Sequence, residues 1–136
     1  MDFELKRTLR MVVQQLSVFL KNQPGVLAEL LEGLAGQNVN VRAMSVSDTI
    51  DHAVVRLVVD DPHKALHLLG DRGVLVVETE VLAVELPNEP GALAKLARKL
   101  AAHDVNIEYA YGSADAKNAI VVLRTSDIVR AQQVLR

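Results

Sequence analysis

The chain contains no cysteine, and only 3% of its 136 residues are aromatic. Without thiols there are no disulfides, thiolate metal sites or cysteine nucleophile, which fits a reducing compartment and leads us to expect a cytoplasmic protein. Few aromatics leave little of the stacking surface that single-stranded nucleic-acid binders use. A formal charge of −2 argues against a phosphate backbone as partner. Long apolar runs are also missing. In the N-terminal stretch MDFELKRTLRMVVQQLSVFL, acidic residues precede basic ones, and Gln14 and Gln15 interrupt the apolar segment well short of a signal sequence or a membrane span. We therefore expect no targeting segment, no membrane partner and no nucleic-acid partner.

What is present is aliphatic. Half of the chain is hydrophobic, enough for a core in one compact unit or two very small ones. Sliding the sequence against itself by 66 positions, from Asn22 to Asn88, aligns residues 16–70 with 82–136 without a gap. Leu16, Val18, Leu20, Pro24, Gly25, Leu27, Leu34 and Asn40 meet Leu82, Val84, Leu86, Pro90, Gly91, Leu93, Leu100 and Asn106. Roughly a third of the aligned positions are identical, which marks an internal duplication rather than shared composition.

Each copy reads as strand, helix, strand, strand, helix. Alternating Leu16, Val18 and Leu20 predict a strand with one buried face. Pro24 suits a first helical position, and Val26, Leu27, Leu30, Leu31 and Leu34 recur at helical spacing until Gly36. A second strand is expected over 39–47, a turn over 48–51, and a third strand from Ala53. Asp61 and Pro62 start a second helix ending near Gly70, and residues 74–77 add a fourth strand. The order βαββαβ is the ferredoxin-like arrangement of the α+β class: an antiparallel sheet with both helices on one face.

We expect repeat 1 over residues 11–78 and repeat 2 over 79–136, with only Glu78 to Glu80 at a strand junction between them and no flexible linker. The second repeat has no counterpart to its last strand. That leaves a sheet edge to be covered by the stretch Phe3 to Arg10, by a partner chain, or by a shortened sheet. A unit of about 66 residues buries only about 60% of its unfolded surface, so each repeat has reason to pack against something.

The most distinctive segments are NQPGVLAEL at Asn22 and NEPGALAKL at Asn88, each at a strand-to-helix turn. Unpaired helix-start amides and a glycine without Cβ would admit a carboxylate. The other reading, a turn and cap with no ligand, stands beside it. NVNVRAMS at Asn38 and DVNIEYAY at Asp104 recur as well, and Asn40 and Asn106 either offer amides to an amino acid or stabilise their own turns. A strand that follows the first helix can lie near the Pro-Gly loop.

The pattern Asn-x-Pro-Gly-x-Leu-Ala, followed some 15 residues later by Val-Asn-Val or Val-Asn-Ile, resembles the ACT domain family, in particular small proteins made of two ACT domains in tandem. The resemblance covers nearly everything from Leu16 onward. It implies two ACT-like repeats, the second lacking its last strand, and regulatory binding of a free amino acid at ACT–ACT interfaces, with a homodimer expected and no cofactor. By position, the implied ligand contacts are Asn22, Gln23, Gly25, Val26, Leu27, Asn40 and Val41 in repeat 1. In repeat 2 they are Asn88, Glu89, Gly91, Ala92, Leu93, Asn106 and Ile107. Both loops carry asparagine where the family often has aspartate, and Glu89 replaces Gln23.

No nucleophile elbow, Walker loop, dinucleotide fingerprint or zinc-protease helix is present, so we expect no enzyme and no catalytic residue. Glu78 and Glu80 read as solvated charges. His63 and His67, four apart on a helix, are the route to a weaker alternative, a metal sensor. Tyr109 and Tyr111 should share one side of a strand, either packing on a helix or neighbouring subunit or bordering the ligand pocket. The main alternative is an assembly module that docks a partner enzyme without ligand.

Overall fold

The computed structural model describes residues 10–135. Its elements are β1 (Arg10–Lys21), α1 (Val26–Gly36), β2 (Val41–Asp48), β3 (His52–Val59), α2 (Pro62–Asp71), β4 (Leu75–Pro87), α3 (Ala92–Ala102), β5 (Ile107–Ala114), β6 (Asn118–Thr125) and α4 (Ile128–Val134). The order is βαββαβ followed by αββα, with β4 serving as last strand of one copy and first of the next. The sheets are antiparallel, and the second repeat ends on α4 without a strand after it.

The described residues form two compact units, Gln14–Thr79 and a second that joins the residues from Glu80 onward to Arg10–Val13. The unit boundary falls inside β1 and inside β4. Glu78, Thr79 and Glu80, expected at a junction between two strands, instead lie within the single 13-residue β4. With β-branched Val76, Val77, Thr79 and Val81 and no glycine or proline before Pro87, nothing in the sequence stops the strand there.

In the first unit, strands follow the order β2-β3-β1-β4, with β4 supplying Leu75–Thr79. Leu16, Val18 and Leu20 of β1 face Leu57, Val55 and Ala53 of β3. Leu30 and Leu34 of α1 and Ala65 and Leu69 of α2 close over this face to form the core. Leu16, Leu34, Leu57 and Leu69 have no exposed surface, and burying each such side chain contributes about 1.5–3 kcal/mol.

The second unit repeats the register, pairing Leu82, Val84 and Leu86 with Leu123, Val121 and Ala119, and packs Leu96, Leu100 and Ala131 above them. Its order is β1-β4-β6-β5, so β1 stands where the absent last strand would be, and Val12 packs against this core. Of the stretch Phe3 to Arg10 expected to cover the edge, all but Arg10 lies outside the described residues.

Two local devices are duplicated. Helices α1 and α3 end at Gly36, as expected, and at its counterpart Ala102, but neither residue makes the reversal. The left-handed residues are Asn38 (φ 60°) and Asp104 (φ 59°), while Val39 and Val105 return their amides to Leu34 and Leu100 at 2.9 and 3.0 Å. This double closure satisfies orphan carbonyls and brings a valine onto a leucine in the core. From the second helix of each copy, Lys64 Nζ donates to Gln37 O at 2.9 Å and Arg130 Nη1 to His103 O at 3.4 Å, placing a cation at the negative end of the first helix.

Matching bulges interrupt β2 between Val41 and Ala43 and β5 between Ile107 and Tyr109. An extra residue reverses which face the following side chains take. Val41 and Ile107 pack against the cores, whereas Tyr109 and Tyr111 pair with Arg124 and Val122, on the face opposite Leu123. The two tyrosines do share one side, half-buried, but it is not the helix side.

Candidate functional site

Each Pro-Gly loop is built by its glycine. Gly25 and Gly91 are the residues before α1 and α3, at φ 87° and 89°, and no side chain caps either helix. A left-handed residue cannot be helical, so Pro24 and Pro90 sit in the loop and not at the first helical position. The asparagines do not cap the helices either. Asn22 Nδ2 donates to Thr49 O at 3.3 Å and its amide to Asp51 O at 3.0 Å. Asn88 makes the equivalent bonds to Asp115 O and Lys117 O, both at 2.7 Å. The Pro-Gly loop of each copy is therefore moored to the hairpin turn between its second and third strands.

The mooring aims the start of each helix at solvent. First-turn amides have no acceptor within their helix, and the partial positive charge there favours an anion. Asn22, Gln23, Gly25, Asn88, Glu89 and Gly91 are all exposed. Val26, Leu27 and Ala92 turn partly onto their cores, while Leu93 remains 53% exposed. The copies also differ in charge. Gln23 and Asp51 of the first correspond to Glu89 and Lys117 of the second.

Asn40 and Asn106 take part in a second constellation. Asn40 N donates to Asp60 Oδ1 at 2.9 Å and Asn40 O accepts from Asp60 N at 3.1 Å. Ser126 clasps Asn106 in the same way, at 2.9 Å for both bonds. The backbones are thus fixed and the exposed side chains are left projecting.

These two parts do not meet within one copy. The Pro-Gly loop of the first copy is tied to Thr49 and Asp51, beyond the end of β2, whereas Asn40 precedes its start. Eight residues of strand separate them, about 25 Å at strand rise. The strand after the first helix does come near the loop, as expected, but with its end and not with the start where Asn40 stands. The helix runs back along the sheet before β2 begins, so that strand begins at the far end.

The hairpin residues that hold the loops, Thr49, Asp51, Asp115 and Lys117, were not singled out as site residues. The available signal was the polar turn over 48–51. Asp115 Oδ1 accepts from the amides of Lys117 and Asn118, both at 2.8 Å, and these bonds hold its carboxyl below the usual carboxylate range. His63 and His67 are exposed on α2. No group of three or more His, Cys, Asp or Glu able to hold a metal occurs among the described residues. No described helix is long and apolar enough to cross a membrane.

Comparison with known proteins adds the context. Residues 11–136 match the family described as ACT domain pair. Among solved structures, protein BT0572 from Bacteroides thetaiotaomicron is 41% identical, with 93% of this chain and 88% of that chain covered and a TM-score of 0.89. The ligand-free regulatory subunit of aspartate kinase from Thermus thermophilus is 17% identical, covering 93% and 91%, with a TM-score of 0.68. E. coli aspartokinase III in complex with aspartate and ADP is 20% identical over 95% of this chain and 31% of that one, with a TM-score of 0.65. The latter two share the fold. None of the curated proteins matches the chain.

Proposed function

This chain belongs to the ACT domain pair family, and from that premise we propose that it is a regulatory module, without catalytic activity, that binds a free amino acid where two ACT domains meet. The observation that carries this reading is the separation of Asn22 from Asn40. A ligand whose carboxylate sits at a helix start and whose ammonium meets a strand asparagine needs both constellations, and they stand at opposite ends of β2. The loop of one domain and the asparagine of another satisfy it together. A second copy of the chain, turned about a two-fold axis, supplies that partner surface reciprocally.

In this arrangement Gly25 and Leu27, or Gly91 and Leu93, present amides to the carboxylate, beside Val26 and Ala92, whose own amides donate to Gln23 O and Glu89 O at 3.3 Å. Asn22 and Asn88 hold the loop, with Gln23 or Glu89 at its rim. Asn40 with Val41, or Asn106 with Ile107, forms the opposite wall. Charge-assisted hydrogen bonds contribute about 1.5–3 kcal/mol each before the costs of association, which corresponds to micromolar to millimolar affinity. Because the ligand bridges two domains, it favours the packed state, and the difference in affinity between states is the regulatory signal. The signal is read by a partner enzyme in the cytoplasm.

The test is a thermal-shift screen against the twenty amino acids at millimolar concentration, with molar mass measured by light scattering in parallel. A stabilising amino acid that also raises the dimer fraction is expected. A flat screen to about 10 mM would sink the proposal and leave assembly without ligand as the reading.

A further inference from the structure

A cavity of about 190 Å³ opens between α1 and α2 of the first unit, walled by Leu20, Val26, Leu30, Leu68, Leu69 and Val74. Its remaining lining residues, Glu29 and Arg72, are both exposed and both charged. Arg72 is the residue at which α2 ends, and its side chain reaches back across α1. A Cβ built on Gly33 would stand 2.8 Å from Arg72 Cζ and from both terminal nitrogens, so the guanidinium lies against the bare backbone of that glycine. Glu29 is one turn earlier on the same helix, on the same face as Gly33. Neither Glu29 nor Arg72 takes part in an ion pair with another described residue; the pairs seen elsewhere include Arg124 with Glu108 and Arg130 with Asp127. Glu29 and Arg72 are thus left with one unpaired charge of each sign beside an apolar cavity.

The second copy does not reproduce this. Glu29 and Gly33 correspond to Lys95 and Lys99, which place two cations on the helix face where the first copy has an anion and an open seat for a guanidinium. We infer that the cavity between α1 and α2 is a separate site for a zwitterionic amino acid with a branched aliphatic side chain. The side chain fills the apolar cavity, the carboxylate meets Arg72 and the ammonium meets Glu29. The volume equals about six waters at roughly 30 Å³ each, room for a four-carbon side chain with its charged end at the mouth. Guanidinium recognises carboxylate by paired donors. The inference rests on the amino-acid reading above and assigns a ligand class and a second location to it.

The experiment uses the full chain, titrated with L-leucine and with its analogues lacking one charge, 4-methylpentanoate and 3-methylbutylamine, by calorimetry and by amide shifts in NMR. Leucine is expected to shift amides over 26–33 and 68–74, and each analogue to bind at least tenfold more weakly. Arg72→Gln should weaken leucine about tenfold. Gly33→Ala should do the same by displacing the guanidinium, in a helix that alanine favours, so that loss of binding is not loss of fold. Unchanged leucine affinity in both variants would overturn the inference. So would shifts confined to the Pro-Gly loops and to Asn40 and Asn106, an outcome that leaves the interface reading intact. Absence of binding by any amino acid overturns both.

Discussion

The side-chain amide of Asn88 donates to the carbonyl of Asp115 at 2.7 Å across 27 residues of sequence, and Asn22 makes the same bond to Thr49 at 3.3 Å. The two asparagines are therefore fasteners between a helix-start loop and a hairpin. Replacing Asn88 by alanine should lower stability by about 1 kcal/mol, and Asn22 by less because its bond is longer. Urea titrations of the two variants beside the parent chain would show it. Equal effects, or none, would mean that solvent replaces these bonds freely.

The glycines of the Pro-Gly loops and those of the helices should respond in opposite directions. Gly25 and Gly91 have positive φ with open space around them, so alanine there meets no atom but carries a backbone cost of about 1–2 kcal/mol. Gly36 and Gly70 also have open space, but they are helical. Alanine at either should stabilise by about 0.5–1 kcal/mol. Melting curves of Gly25→Ala and Gly36→Ala should move apart, and a shared direction would contradict the backbone argument.

Gly112 is held for a different reason. A Cβ on it would collide with the carbonyl oxygen of Ile120 and stand 3.1 Å from Val121 Cα, both backbone atoms of the neighbouring strand. Gly112→Ala should push β5 from β6 and cost more than Gly25→Ala. Faster amide hydrogen exchange in these two strands, with the first unit unaffected, is the expected readout.

Asp115 should make the β5–β6 hairpin turn sensitive to acid. Its carboxylate is favoured in the folded turn by the amides of Asn118 and Lys117, so its folded pKa is lower than its unfolded one. The contribution is then fully present above the unfolded value and is lost as pH falls through the folded value. Following Asp115 by NMR from pH 6 to 2 should give a midpoint below the ordinary aspartate value. Asp115→Asn should remove the pH dependence of the amide shifts of Lys117 and Asn118.

The duplication, the ferredoxin-like order of elements in each copy and the family were legible in the sequence. They depend on local periodicity and on two loops whose residue types are dictated by a turn. The end of α1 at Gly36 was legible too, but its start was not, because left-handed Gly25 keeps Pro24 out of the helix, and neither was the left-handed backbone of Asn38 and Asp104 that turns the chain after α1 and α3. The sides of Tyr109 and Tyr111 relative to the core were not legible, since the bulge after Ile107 reverses the alternation and depends on the partner strand.

What the sequence determined by itself was therefore which residues form strands, helices and turns, because these follow from patterns a few residues long. Tertiary structure alone decided that β4 runs unbroken through Glu78 to Glu80 and that the start of β1 serves the second unit. It also decided that the Pro-Gly loop and Asn40 lie at opposite ends of a strand, and that Arg72 rests on Gly33 beside an apolar cavity. Each of these is a contact between segments far apart in the chain, chosen by packing and by hydrogen-bond closure, and no local pattern encodes it.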